Sequence, residues 1–110
     1  MKPYGTPATA SLDIVESKGT AKDAALAALD RVGNLSNGDQ ARLGKIKSDV
    51  AAATQETSSP AVLGPRLQAL VDDVGTLERS RWTNTEPARI AVARLVTYVE
   101  YDYYLAGGTR

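Results

Sequence analysis

Between Leu63 and Leu77 the chain places Leu63, Leu67, Leu70, Val74 and Leu77 at alternating steps of four and three residues. A strand would repeat every second position, so this spacing suits a helix packing along one seam, as in a coiled coil. Gln68, Asp72, Asp73, Glu78 and Arg79 fall off the seam and read as a solvated polar face. The period recurs elsewhere. Leu43, Ile46, Val50 and Ala53 predict a helix from about Asn37 to Gln55. Ala25, Leu26, Leu29 and Val32 predict another from about Ala21 to Val32, with Gly33 as its stop.

Helix punctuation supports the same division. Thr20-Ala-Lys-Asp23, Ser36-Asn-Gly-Asp39 and Thr83-Asn-Thr-Glu86 each set a hydroxyl three positions ahead of a carboxylate. At a helix start the hydroxyl accepts from a free backbone N–H, and the acid suits the positive end of the dipole. After a loop over Glu56-Thr-Ser-Ser-Pro60, the Gly64-Pro65 pair restarts the chain, and a helix follows from Pro65 to Arg81. The last helix runs from Glu86-Pro87 to about Leu105 and ends at Gly107-Gly108. The segment from Ser11 to Lys18 reads as a short fifth helix stopped by Gly19, with an extended segment as the alternative. No internal repeat is read from the chain, although the three capping sequences make its helices look alike.

The fold expected is therefore all-α: a small bundle of four main helices forming one domain over residues 9–106. Residues 1–8 read as a flexible arm around Pro3, Gly5 and Pro7, and 107–110 as a flexible tail. The core is expected to hold Leu26, Leu29, Leu43, Ile46, Val50, Leu67, Leu70, Val74, Leu77, Val92, Leu95, Val96 and Val99. Short connections at Gly33–Ser36 and Trp82–Thr85 should make their flanking helices antiparallel neighbours.

Composition narrows the function. Thirteen basic and thirteen acidic residues cancel, which argues against a nucleic-acid partner and gives no attraction to an anionic membrane. With no cysteine and no histidine, thiolate chemistry, the commonest general base and the common zinc sites are absent. No cofactor and no metal are expected. Catalysis would fall to acids such as Glu100 and Asp102, which point about 200° apart on a helix and cannot share one proton. The chain is expected not to be an enzyme. The N-terminal segment lacks the continuous apolar run of a secretory signal, and no stretch is long and apolar enough to span a bilayer, so the expected location is the cytoplasm or a virion.

The aromatic residues are gathered near one end. Trp82, Tyr98, Tyr101, Tyr103 and Tyr104 all fall from residue 82 onward, only Tyr4 lies elsewhere, and there is no Phe. Val92, Leu95, Val96, Val99 and Tyr103 form one helical stripe, assigned to the core. Tyr98, Tyr101 and Leu105 form a second, with Arg94 and Thr97 nearby, so the last helix is apolar on two sides. One small core accommodates one of these. Tyr98, Tyr101, Tyr104 and Leu105 are the candidate protein interface, since tyrosine rings supply contact area with few rotamers to lose. The alternative is that these rings cap the bundle internally. Trp82, beside Arg79 and Arg81, reads as the anchor of the helix junction, with a cation–π contact to one of those arginines as a secondary role.

Tyr98-Val-Glu-Tyr-Asp102 is similar to the Tyr-x-x-x-Asp pattern near the C-terminus of small helical type VII secretion substrates. The resemblance covers five residues, and the Trp-x-Gly turn of that family is absent, because Thr83 and Asn84 follow Trp82. It implies a secreted helical protein as a lesser alternative.

The expected function is non-enzymatic. The chain reads as a protein–protein interaction or assembly component, a small structural or adaptor protein of a larger complex such as a virion connector, with itself as one partner to consider. A small helical inhibitor or regulator of a host protein complex is the alternative. A ligand binder using a cavity between the third and fourth helices is a further one.

Overall fold

The computed structural model describes the backbone of residues 7–108 and the side chains from residue 18 onward. Four helices follow one another: α1 (Pro7–Leu29), α2 (Asn37–Ala52), α3 (Pro60–Arg79) and α4 (Glu86–Leu105). Each packs on its neighbour in sequence, and α4 closes the ring against α1, with the widest contacts on the two sides of α4. Short loops and antiparallel neighbours give an up-down-up-down bundle, in agreement with the expected fold class.

The core follows the predicted seams. Leu29, Ile46, Leu63, Leu70, Leu77, Leu95, Val50, Val92 and Val99 are the largest wholly buried side chains. Leu26, Val74 and Val96, expected inside, are partly buried and pack against the core's edge. Ala21, Ala25, Ala53 and Ala88 are buried as well. Their small side chains let neighbouring backbones approach.

Several element boundaries differ from expectation. The short fifth helix and the first main helix are one element, because neither Gly19 nor the Thr20 capping sequence interrupts α1. Nothing lies where a Gly19 Cβ would go, so this glycine serves no close packing. Its helix-interior cost of about 1 kcal/mol is too small to stop a helix whose face continues into Ala21, Ala25 and Leu29. The expected arm lies outside the described residues as far as residue 6, and its last two, Pro7 and Ala8, open α1.

Helix α3 begins earlier than the Gly64-Pro65 pair suggested. Ser59 is its N-cap, Pro60 occupies the first turn, and Pro65 sits inside the helix. A proline there removes one backbone donor, and Gly64 before it has no Cβ to meet the pyrrolidine ring. The glycine has a second use. A Cβ on Gly64 would lie 3.3 Å from Tyr103 Cε1, so the gap lets the Tyr103 ring come close to α3.

The cap sequences fared unequally. Ser36 and Asp39 form the full reciprocal capping box at the start of α2. At α4 the N-cap is Thr85 rather than Thr83, and no side-chain bond closes it. Thr83 instead joins Gly33 in an isolated antiparallel bridge, with Gly33 N donating to Thr83 O at 3.1 Å and Thr83 N to Gly33 O at 3.0 Å.

That bridge belongs to a reciprocal arrangement not anticipated from the sequence. Arg31-Val-Gly-Asn34 and Arg81-Trp-Thr-Asn84 occupy corresponding places in the α1–α2 and α3–α4 connections. Asn34 and Asn84 both take left-handed backbone, at φ 61° and 58°. The Asn34 side chain donates to Arg81 O at 2.9 Å, and that of Asn84 donates to Arg31 O at 3.3 Å. The two tips thus clasp each other about a local twofold. Asparagine tolerates the left-handed region better than other residues with a Cβ, which explains its place in both tips.

Candidate interaction surface

Helix α4 is held on its inner side by Ala88, Val92, Leu95 and Val99, all buried. Its outer side carries Ile90, Arg94, Thr97, Tyr101 and Tyr104, spaced by alternating four and three residues and all exposed, with Leu105 beside them. Tyr101 retains 43% of its surface, Tyr104 52% and Leu105 69%. Tyr98 differs from these three candidates: it is partly buried and packs against the core. Its place on the outer stripe is taken by Ile90, a residue the sequence reading passed over although the four-three spacing reaches it.

Tyr103 lies between the two stripes and explains the glycines at the end of α4. Gly107 has a φ of +92°, Gly107 N donates to Tyr104 O at 3.0 Å, and Gly108 N donates to Tyr103 O at 2.9 Å. This pair of bonds is the Schellman arrangement, which satisfies carbonyls the helix end leaves open. A Cβ on Gly108 would come within 2.4 Å of the Tyr103 ring. The ring therefore rests between Gly108 and Gly64, and Gly107 and Gly108 form a cap instead of a loose tail. Thr109 and Arg110 lie outside the described residues. Tyr104 approaches Tyr103 with ring centroids 6.1 Å apart and planes tilted by 51°, a favourable aromatic geometry that leaves its outer side to solvent.

Beside this stripe runs an open groove of about 490 Å³ between α3 and α4. Val71, Val74, Gly75, Ala93 and Val96 form its apolar lining, with Asp72, Glu78 and Arg79 at its rim. Gly75 and Ala93 add little bulk to its wall, and Val71 is itself exposed. This is where the sequence reading placed a ligand cavity. The apolar lining residues offer no titratable group for chemistry.

Asp102, the acid of the Tyr-x-x-x-Asp pattern, pairs with Lys18 of α1 at 2.5 Å. The pair ties α4 to α1 at the end of the bundle where α4 finishes. Its two side chains are mostly shielded, which makes the link stronger than a fully exposed pair of its kind.

At the opposite end Trp82 is buried, 8% exposed, where the tips meet. It stands at the α3–α4 junction, as expected of an anchor, but its cationic neighbour differs. Arg42 of α2 lies over the ring, 5.8 Å from its centroid. Neither Arg79 nor Arg81, the expected partners, takes this place. The Arg79 guanidinium instead folds over Gly75 of its own helix. Arg42 was invisible to the sequence reading, since nothing local brings residue 42 to residue 82. Asp39 lies in the same corner. The Ser36 backbone and hydroxyl hold its carboxyl below the usual carboxylate range, with smaller help from Trp82 and Arg42.

A second acidic arrangement lies between α2 and α3. Asp73, read from the sequence as solvated, is only 3% exposed. Its Oδ1 lies 3.5 Å from Lys45 Nζ, and the same ammonium donates to Asp49 Oδ2 at 2.8 Å. Burial pushes the Asp73 carboxyl up to about 7, and the hydrogen bond and charge of Asp49 push in the same direction. Asp49 is held below the usual range. Burial opposes this, but hydrogen bonds from Asp73 and Lys45 outweigh it. The correction has a geometric cause: α3 is rotated so that position 73, one step from Val74, faces α2.

Among the described residues no three His, Cys, Asp or Glu side chains gather as a metal site. None of the described helices is long and apolar enough to cross a membrane. No family model, no characterised protein and no solved structure matches the chain.

Proposed function

We propose that the chain is a non-enzymatic interaction or assembly component that contacts another protein chain through the outer side of α4. The observation that carries this reading is the exposed stripe of Ile90, Tyr101, Tyr104 and Leu105 on a helix already packed on two neighbours. Tyrosine suits a surface that is wet part of the time, because its hydroxyl keeps a water contact while its ring supplies area. The groove beside α4 extends this apolar surface onto α3 through Val71. Neutral overall charge favours contact through shape and apolar area over long-range steering. A structural or adaptor role in a larger complex, such as a connector in a particle, is the form of the reading that fits these features.

The test is Tyr101→Glu combined with Leu105→Glu. Both side chains point away from the core, so helicity and melting should hardly change. If the partner is a second copy, light scattering should report an oligomer that the double variant dissociates. If it is a foreign chain, capture of that chain from the native source should be lost. Unchanged association together with a lower melting temperature would mean that these residues cap the bundle internally, and would refute the proposal.

A further inference from the structure

Asp73 is out of place by the ordinary rules for burial. A carboxylate that leaves water needs donors for both oxygens or a proton of its own. Its Oδ1 has one long contact to Lys45, and its Oδ2 is buried with no donor among the described residues. The carboxyl within hydrogen-bonding reach belongs to Asp49, which is another acceptor. One ammonium thus serves two carboxylates, and the closer bond goes to Asp49.

The charged groups facing Asp73 across the α2–α3 seam are Lys45 and Asp49, both from α2. On α3 itself, Asp72 is exposed and accepts from Gln68, and Arg66 donates to Gln55 O. Arg89 of α4 pairs with Glu86 of its own helix. Asp30, just past the end of α1, pairs with Lys47 on another part of α2. Among the described residues Asp73 therefore has one shared cation, and that cation is the more exposed partner.

We infer that Asp73 and Asp49 form a proton-dependent clasp between α2 and α3: Asp73 carries a proton in the folded chain, donates it to Asp49, and loosens the seam when it releases it. The proton comes from solvent on folding and returns there on release. With the proton present, the orphaned oxygen becomes a donor, Asp49 gains a second hydrogen bond beside Lys45, and one ammonium balances one negative charge. Without it, two carboxylates face each other across the seam with one ammonium between them, and the cheapest relief is for α2 to move away from α3.

The direction of the pH dependence follows. An aspartate in the unfolded chain titrates near 4, whereas Asp73 in the fold titrates near 7. Between those values the folded chain holds nearly one proton more than the unfolded one, so stability falls as pH rises through the interval and levels above it. Asp49, Asp39 and Glu86 act in the opposite sense, because their carboxyls are lowered in the fold and their contribution is lost as pH falls below about 4. The chain should be most stable at about pH 4 to 5, the acid end of that interval.

Two measurements test the clasp. In carbon-detected NMR of the intact chain, the Asp73 carboxyl should titrate at about 7, well above the ordinary carboxylate range. In denaturant melts, the midpoint should fall between about pH 5 and 8, and Asp73→Asn, which keeps a donor facing Asp49, should flatten that fall. A carboxyl resonance that titrates near 4 overturns the proposal even if the variant fails to fold. So does a variant whose midpoint falls in parallel with that of the natural chain.

Discussion

Where the α1–α2 and α3–α4 connections meet, the bundle buries its tryptophan, whereas at the end where α4 finishes it leaves two tyrosines and a leucine in solvent. The first end is closed three ways: Trp82 fills it, Arg42 covers the ring, and Asn34 and Asn84 exchange bonds across it. The second end is capped as backbone, through Gly107 and Gly108, but Tyr101, Tyr104 and Leu105 are not enclosed. Closing a helix end and covering its side chains are therefore separate problems, and this chain solves both at one end only. An apolar surface that the fold satisfies locally yet leaves uncovered is the kind that partners use.

The largest expected effect of a substitution lies at the closed end. Trp82→Ala should cost about 3–5 kcal/mol in denaturant unfolding, because it empties the junction of both hairpins at once. A loss near that of a surface change would mean that the tips hold without their anchor. The clasping asparagines come next. Asn84→Ala should cost about 1–2 kcal/mol, through the lost bond to Arg31 and a Cβ forced into left-handed backbone without side-chain help. Asn34→Ala should behave alike if the twofold is energetic as well as geometric, and a marked inequality would break that equivalence.

The regular parts of this molecule were legible in the sequence. The four helices, the seam of α3, the capping box of α2 and the full extent of α4 all follow from short-range periodicity and cap chemistry, which the backbone obeys locally. What was hidden depends on distant partners. Arg42 meets Trp82, and Asp49 meets Asp73, only because separate helices converge, and nothing in the local spacing marks either pair. Gly19 and Pro65 misled for a related reason: each carries a local cost that burial of a continuing face outweighs. For the candidate interface, spacing identified Tyr98, Tyr101 and Leu105 as a second stripe, with Tyr104 beside it. It could not tell Tyr98 from Ile90, since which shoulder of a helix turns inward is decided by its neighbours.

A smaller effect bears on the middle of the bundle, between the two ends. Gly44 sits inside α2, exposed, with nothing where a Cβ would go. Gly44→Ala should stabilise the chain by about 0.5–1 kcal/mol without altering association. A gain there with unchanged behaviour at both ends would supply a more robust background for the substitutions above.

The contrast between the ends rests on whether the open one is covered by another chain. Light scattering on the natural chain and on the Tyr101→Glu, Leu105→Glu variant, each followed by thermal melting, tests this most directly, with capture from the native source run in parallel for a foreign partner. The account predicts that association is lost in the variant while the melting temperature is nearly unchanged. Association that survives the two charges, with a melting temperature that drops, would contradict it and return these side chains to the interior economy of the bundle.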